Sequence, residues 1–147
     1  MKKFYALAAA LFLGMGAFAQ TTYSVTFQVD MGSATINSNG IHVAGSFQNW
    51  SPSTTSMTQV GTSSIYSTTV TVNAGQLEYK FLNGNAWGDD ESPGAAAQVG
   101  TNGNSNRWAV ISQDTTLPAV MFGGSAPAGQ KAIQFKVDMA MQSVSSD

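Results

Sequence analysis

The strongest constraint on the fold is a strict alternation over residues 22–30. Tyr23, Val25, Phe27 and Val29 alternate with Ser24, Thr26, Gln28 and Asp30. A period of two places the apolar side chains on one face of an extended strand and the polar ones on the other. The pattern returns in short runs divided by turn-formers. Residues 41–47 form a second strand, with Ile41, Val43 and Phe47 inward and Gly45 where a strand bulges or meets another backbone. Residues 65–72, rich in Thr, Val and Tyr, form a third. The next begins at Gln76, with Leu77, Tyr79 and Phe81 on one face and Lys80 on the other. Asn73-Ala74-Gly75 is short enough to join these two as a hairpin. Residues 107–112 and 117–122 supply further strands, the last placed at an edge by Pro118. Helical periodicity is absent outside the first 19 residues. About seven short strands with turns between them predict an all-β fold, an immunoglobulin-like β-sandwich.

The remaining stretches are read as connections. Residues 33–40 and the small, polar residues 94–106 are expected to be loops, and Met57 a core filler after the turn at 48–52. His42, the sole histidine, falls on the outward face of its strand and is expected to be solvated. Trp108 lies on an apolar-rich strand, and packing in the core or between sheets is its expected place.

Residues 1–19 read as a signal peptide. Lys2 and Lys3 precede an apolar run too short to span a bilayer, and Ala17-Phe18-Ala19 is a cleavage site before Gln20. A secreted or cell-surface protein with no membrane span is expected. Without Lys2 and Lys3 the chain has four basic residues against eight acidic ones, and no basic patch, which excludes nucleic acid as a partner. With no cysteine there is no thiol nucleophile and no disulfide, so the domain, 20–122, rests on its core. Residues 123–131 read as a linker. Beyond it, Phe135, Val137, Asp138 and Met139 repeat Phe27, Val29, Asp30 and Met31, so 132–147 reads as the start of a second copy, cut short.

One stretch looks like a binding site. After the Gln76 strand, Asn83-Gly84-Asn85 turns the chain and Trp87 follows among polar residues, then Asp89-Asp90-Glu91. Trp50 stands in a similar setting after Gln48-Asn49. The three adjacent acids do not supply two carboxylates set apart across a cleft, as a glycosidase needs, and one His without Cys supports no triad. They leave open a calcium site, since hard oxygen ligands suit that ion, although their spacing matches no EF-hand loop. No cofactor is expected.

These residues carry a resemblance. Gly45-Ser46-Phe47-Gln48-Asn49-Trp50 resembles the signature of glycogen- and starch-binding modules, including the β-subunit module of AMP-activated protein kinase and those on branching and debranching enzymes. Ala74-Gly75, Glu78-Tyr79-Lys80-Phe81, Gly84 and Trp87 match a second segment of that family. Gly100-Thr101, with Asn104 and Asn106 after extra residues, resembles a third. The signal peptide, the Val29-Asp30-Met31 opening and the apparent repeat also resemble secreted Bacteroidetes-like proteins that carry such modules in tandem. The resemblance implies a non-catalytic protein whose partner is an α-glucan polysaccharide or oligosaccharide. Trp50 and Trp87 would be sugar platforms, Lys80 a donor to hydroxyls, and Val99 an apolar contact. Thr101 and one of Asn104 or Asn106 would add polar contacts. It also leaves room for an attached catalytic or sorting domain in the full-length protein. A structural or adhesive surface repeat without a sugar site is the competing reading.

Overall fold

A computed structural model of the chain describes residues 20–94, 99–101 and 104–124, with the backbone alone for 99–101 and 104. The expected signal peptide, most of the linker and the expected second copy lie outside the described residues. Among the described residues nine strands run in order: β1 (Thr22–Asp30), β2 (Ile41–Gly45), β3 (Ser56–Gln59), β4 (Ile65–Asn73), β5 (Gly75–Asn83), β6 (Val99–Thr101), β7 (Asn104–Ile111), β8 (Thr115–Thr116) and β9 (Val120–Met121). The only other regular element among the described residues is one 3-10 turn, Ser46–Gln48, where strand two was expected to continue. No helix among the described residues is long and apolar enough to cross a membrane.

The strands make two layers, and the β-sandwich expected from the alternation is the one found. In one layer β1 pairs with β4 on one side and with β8 and β9, both parallel to it, on the other. In the second, β5 lies between β2 and β7, and β6 pairs with β7 at the edge. β3 joins the layers: Ser56 and Met57 pair with β2, Thr58 and Gln59 with β4. The inward residues of β1 (Val25, Phe27, Val29), β2 (Ile41, Val43) and β5 (Leu77, Tyr79, Phe81) meet between the layers and are buried. The Phe27 and Tyr79 rings cross edge to face with centroids 4.9 Å apart. Burial pushes the Tyr79 hydroxyl up to about 12, against the pull of Arg107 and with the help of Glu91, so it stays neutral in any ordinary buffer.

The expected hairpin across Asn73-Ala74-Gly75 does not form. β4 and β5 belong to different layers. Gly75 takes φ 114, which only glycine adopts easily, and the chain swings from one layer to the other there. The 94–106 stretch is not all loop either: β6 and the start of β7 form a ribbon with Thr101 opposite Asn104. Pro118 interrupts the last expected strand, leaving β9 as a short edge piece. Gly45 meets another backbone as expected, since a Cβ there would lie 2.5 Å from the Glu78 carbonyl oxygen. His42 is buried, not solvated, and its Nδ1 has no hydrogen-bond partner among the described residues. Its outward neighbours Ala44 and Leu82 are buried too, because this end of the outer face of the β2–β5 pair is covered.

Candidate functional site

The outer face of the second layer carries a cleft of about 370 Å³, lined by Trp50, Lys80, Trp87, Asp90 and Asn106. Its volume is typical of a small-ligand pocket. Each lining residue is placed by a local device.

Trp50 follows the 3-10 turn. Asn49 and Trp50 both take φ 57, the left-handed region that a bulky side chain rarely enters. The Trp50 N–H donates to the Gly45 carbonyl at 3.0 Å. The Gln48 side chain fastens the turn from within. Its Oε1 accepts from the Ser51 N–H at 2.6 Å, and its Nε2 donates to the Ser51 carbonyl at 2.5 Å and to Thr54 Oγ1 at 3.2 Å. Backbone strain of this kind costs roughly 1–3 kcal/mol per residue and persists only where the surroundings impose it. Here it aims an indole into the cleft.

Trp87 sits at the tip of the 84–90 loop and is 50% exposed. The loop folds back on β5: the Asn83 N–H donates to the Asp89 carbonyl and the Glu91 N–H to the Phe81 carbonyl, both at 3.0 Å. Lys80 projects from the middle of β5, opposite the side taken by Tyr79 and Phe81. Its Nζ lies 2.7 Å from Asp90 Oδ2. The Gly88 N–H donates to Asp90 Oδ1 at 3.1 Å. One carboxylate thus orients the floor cation and the turn bearing Trp87. Burial would raise the Asp90 carboxyl, but hydrogen bonds from Lys80 and Gly88 and the Lys80 charge outweigh it and hold the group below its ordinary value. The fold gains from the ionised form, so this latch is complete above the ordinary carboxylate pKa and is lost only as the pH falls through the depressed one. Tryptophan emission is therefore expected to stay constant from about pH 8 to about pH 5 and to change only below about pH 4. A transition centred near neutrality would contradict this.

Asn106, on β7, is buried, and its Nδ2 donates to Glu78 Oε2 at 3.0 Å. Of the two asparagines weighed for one position, this is the one the described side chains bring to the cleft. Val99 and Asn106 are register partners, as are Thr101 and Asn104. The side chains of Val99, Thr101 and Asn104 lie outside the described residues. The pairing of Asp90 with Lys80 and the fastening of the turn by Gln48 were not read from the sequence. Asp90 reads there as one of three like charges, and Gln48 as a polar turn residue.

Two of the three adjacent acids are held by partners within the domain. Glu91 is buried and forms a bidentate pair with Arg107, Oε1 to Nε and Oε2 to Nη2, each at 2.7 Å. It also accepts from the Phe81 N–H at 3.1 Å and the Gly123 N–H at 2.8 Å. Arg107 Nη2 donates in turn to the carbonyls of Met121 and Gly124, both at 2.9 Å. Glu91 turns into the protein toward Arg107 while Asp90 turns to Lys80, so these two carboxylates point to different partners. Among the described residues no group of three or more His, Asp or Glu side chains could hold a metal ion.

Trp108 is not in the core. Arg107 is buried and Ala109 packs against the core, so the alternation of β7 turns Trp108 outward, 50% exposed.

The family model of the pullulanase X25 domain matches residues 33–119, more than half of the chain. The chain belongs to the pullulanase X25 domain family. No curated protein matches the sequence. The family is described as a domain of pullulanase. The matched span contains all five residues that line the cleft. It supports the broad resemblance to starch-binding modules, and does not single out the kinase β-subunit type.

Proposed function

We propose that this X25 domain is a non-catalytic α-glucan-binding module of a secreted bacterial protein. The observation that carries the reading is the convergence of two tryptophans, from separate loops, on one cleft whose floor holds Lys80, Asp90 and Asn106. A pyranose has an apolar C–H face and a rim of hydroxyls. The indoles offer flat apolar area to the first. For the rim, Lys80 has donors beyond the one spent on Asp90, Asp90 is an acceptor, and Asn106 keeps its Oδ1 as an acceptor while Nδ2 serves Glu78. Membership of a family named after pullulanase, an enzyme named for an α-glucan, supports the same ligand class. By resemblance, Val99, Thr101 and Asn104 on the β6–β7 ribbon add contacts beside Asn106. The structural partners of Glu91 and Asp90 support binding without cleavage.

Water competes for every group in so open a site. Each stacking or hydrogen-bonding contact contributes about a kilocalorie net, and the dissociation constant is expected between about micromolar and millimolar. The full chain should be retarded in native gels containing glycogen or amylopectin, and a Lys80→Ala chain retarded severalfold less. A wild-type chain that no α-glucan retards would leave the structural surface repeat as the better reading.

A further inference from the structure

We propose that the glucan site does not end at the cleft but continues along the outer face of the β5–β7 pair, with Trp108 as a third stacking platform. The inference rests on the α-glucan reading of the cleft and extends it to chain length.

β7 carries the argument. Asn106 lines the cleft, and Trp108 is the next outward residue on the same strand, about 7 Å farther along. Directly across from Trp108 on β5 stands Glu78, whose carboxylate receives the Asn106 amide at 3.0 Å. Cleft and platform thus share one hydrogen-bonded row. Beyond them Val110, 67% exposed, stands opposite Gln76. The core gives no reason for this placement, since Trp108 and Val110 are among the most exposed large apolar residues described, while their strand neighbour Ile111 is buried.

The surface suits a particular occupant. A flat indole, a short aliphatic residue and an amide in one line match a chain of sugar rings, each with an apolar face and a polar rim. Among the described residues this strip carries no cation to draw a nucleic acid or an anionic surface. Glu78 and Gln76 interrupt the apolar area that a protein partner would bury. Two tryptophans flanking the cleft and a third one step outside it form a track, which a polymer can follow and a single sugar cannot use.

The experiment compares ligand length in the full chain. Isothermal titration with maltotriose and with maltoheptaose would be run on the wild type, Trp108→Ala, Trp108→Phe and Trp87→Ala. Trp108→Ala should bind maltotriose like the wild type and lose about five- to tenfold on maltoheptaose, with Trp108→Phe recovering most of the loss. Trp87→Ala should weaken both ligands. If Trp108→Ala binds both like the wild type while Trp87→Ala weakens both, the extension falls and the cleft stands. Equal loss on both ligands would place Trp108 within the short-ligand site and also overturn the extension. A wild type that binds neither would overturn the extension together with the cleft. Sedimentation of the same proteins supplies another check: a wild-type dimer abolished by Trp108→Ala would make this face a self-association surface instead.

Discussion

Replacing Glu91 by alanine is expected to cost the fold about 3–5 kcal/mol, a large share of what a domain of this size possesses. The reason is what remains behind. Arg107 is 3% exposed, and without Glu91 its guanidinium would be a buried cation facing two carbonyls and the Phe81 ring, whose centroid lies 5.8 Å away. The Phe81 and Gly123 N–H groups would lose their acceptor as well. Arg107→Ala should be comparably damaging, because it strands the carboxylate. An Arg107→Met, Glu91→Leu pair should be much milder than either single alanine, since it removes both charges and keeps the volume. Thermal unfolding followed by circular dichroism would measure this. A melting temperature within about 3 °C of the wild type for Glu91→Ala would show the pair to be energetically idle.

The second large effect concerns binding alone. A Trp50→Ala, Trp87→Ala chain is expected to lose on the order of ten- to a hundredfold in α-glucan affinity, enough to abolish retardation in glycogen gels. Its far-ultraviolet spectrum should stay unchanged. Trp87 is half in solvent, and Trp50 lies outside the core cluster. The left-handed backbone at Trp50 allows a sharper version. Trp50→Gly relieves the φ 57 conformation while removing the same indole. It should therefore bind as poorly as Trp50→Ala and unfold at a higher temperature, by roughly 1 kcal/mol of stability. A folded double mutant with normal retardation would defeat the site.

Much of this architecture can be read from residue order. β1 matches its expected span because nine residues alternate without a break, and Lys80 faces away from Tyr79 and Phe81 by the same rule. Trp50 and Trp87 are legible because a large aromatic beside Asn and Gly has no local apolar partner. The errors share a cause: they depend on what a segment meets across space. Asn73-Ala74-Gly75 suits a tight hairpin as well as a change of layer, and nothing nearby distinguishes the two. Trp108 was assigned inward because apolar residues usually are, yet Arg107 takes the inward position on the strength of Glu91, 16 residues away. β3 turns only Met57 into the core and so shows no alternation to detect. His42 was placed on the correct face, but the cover over that face comes from elsewhere in the chain.

The parallel pairing of β1 with β8 and β9 bears on how the domain carries mechanical load. The chain enters at Thr22, and its last described residues lie beside Asp30, where the Phe122 N–H donates to the Asp30 carbonyl at 3.0 Å. Eight residue steps of about 3.3 Å separate entry from exit, about 26 Å along one strand. Tension applied through the two ends therefore runs parallel to β1. It pulls β1 one way and β8 and β9 the other, so their hydrogen bonds must slide together, not open one at a time. The Arg107 bonds to the Met121 and Gly124 carbonyls anchor the exit end against that pull.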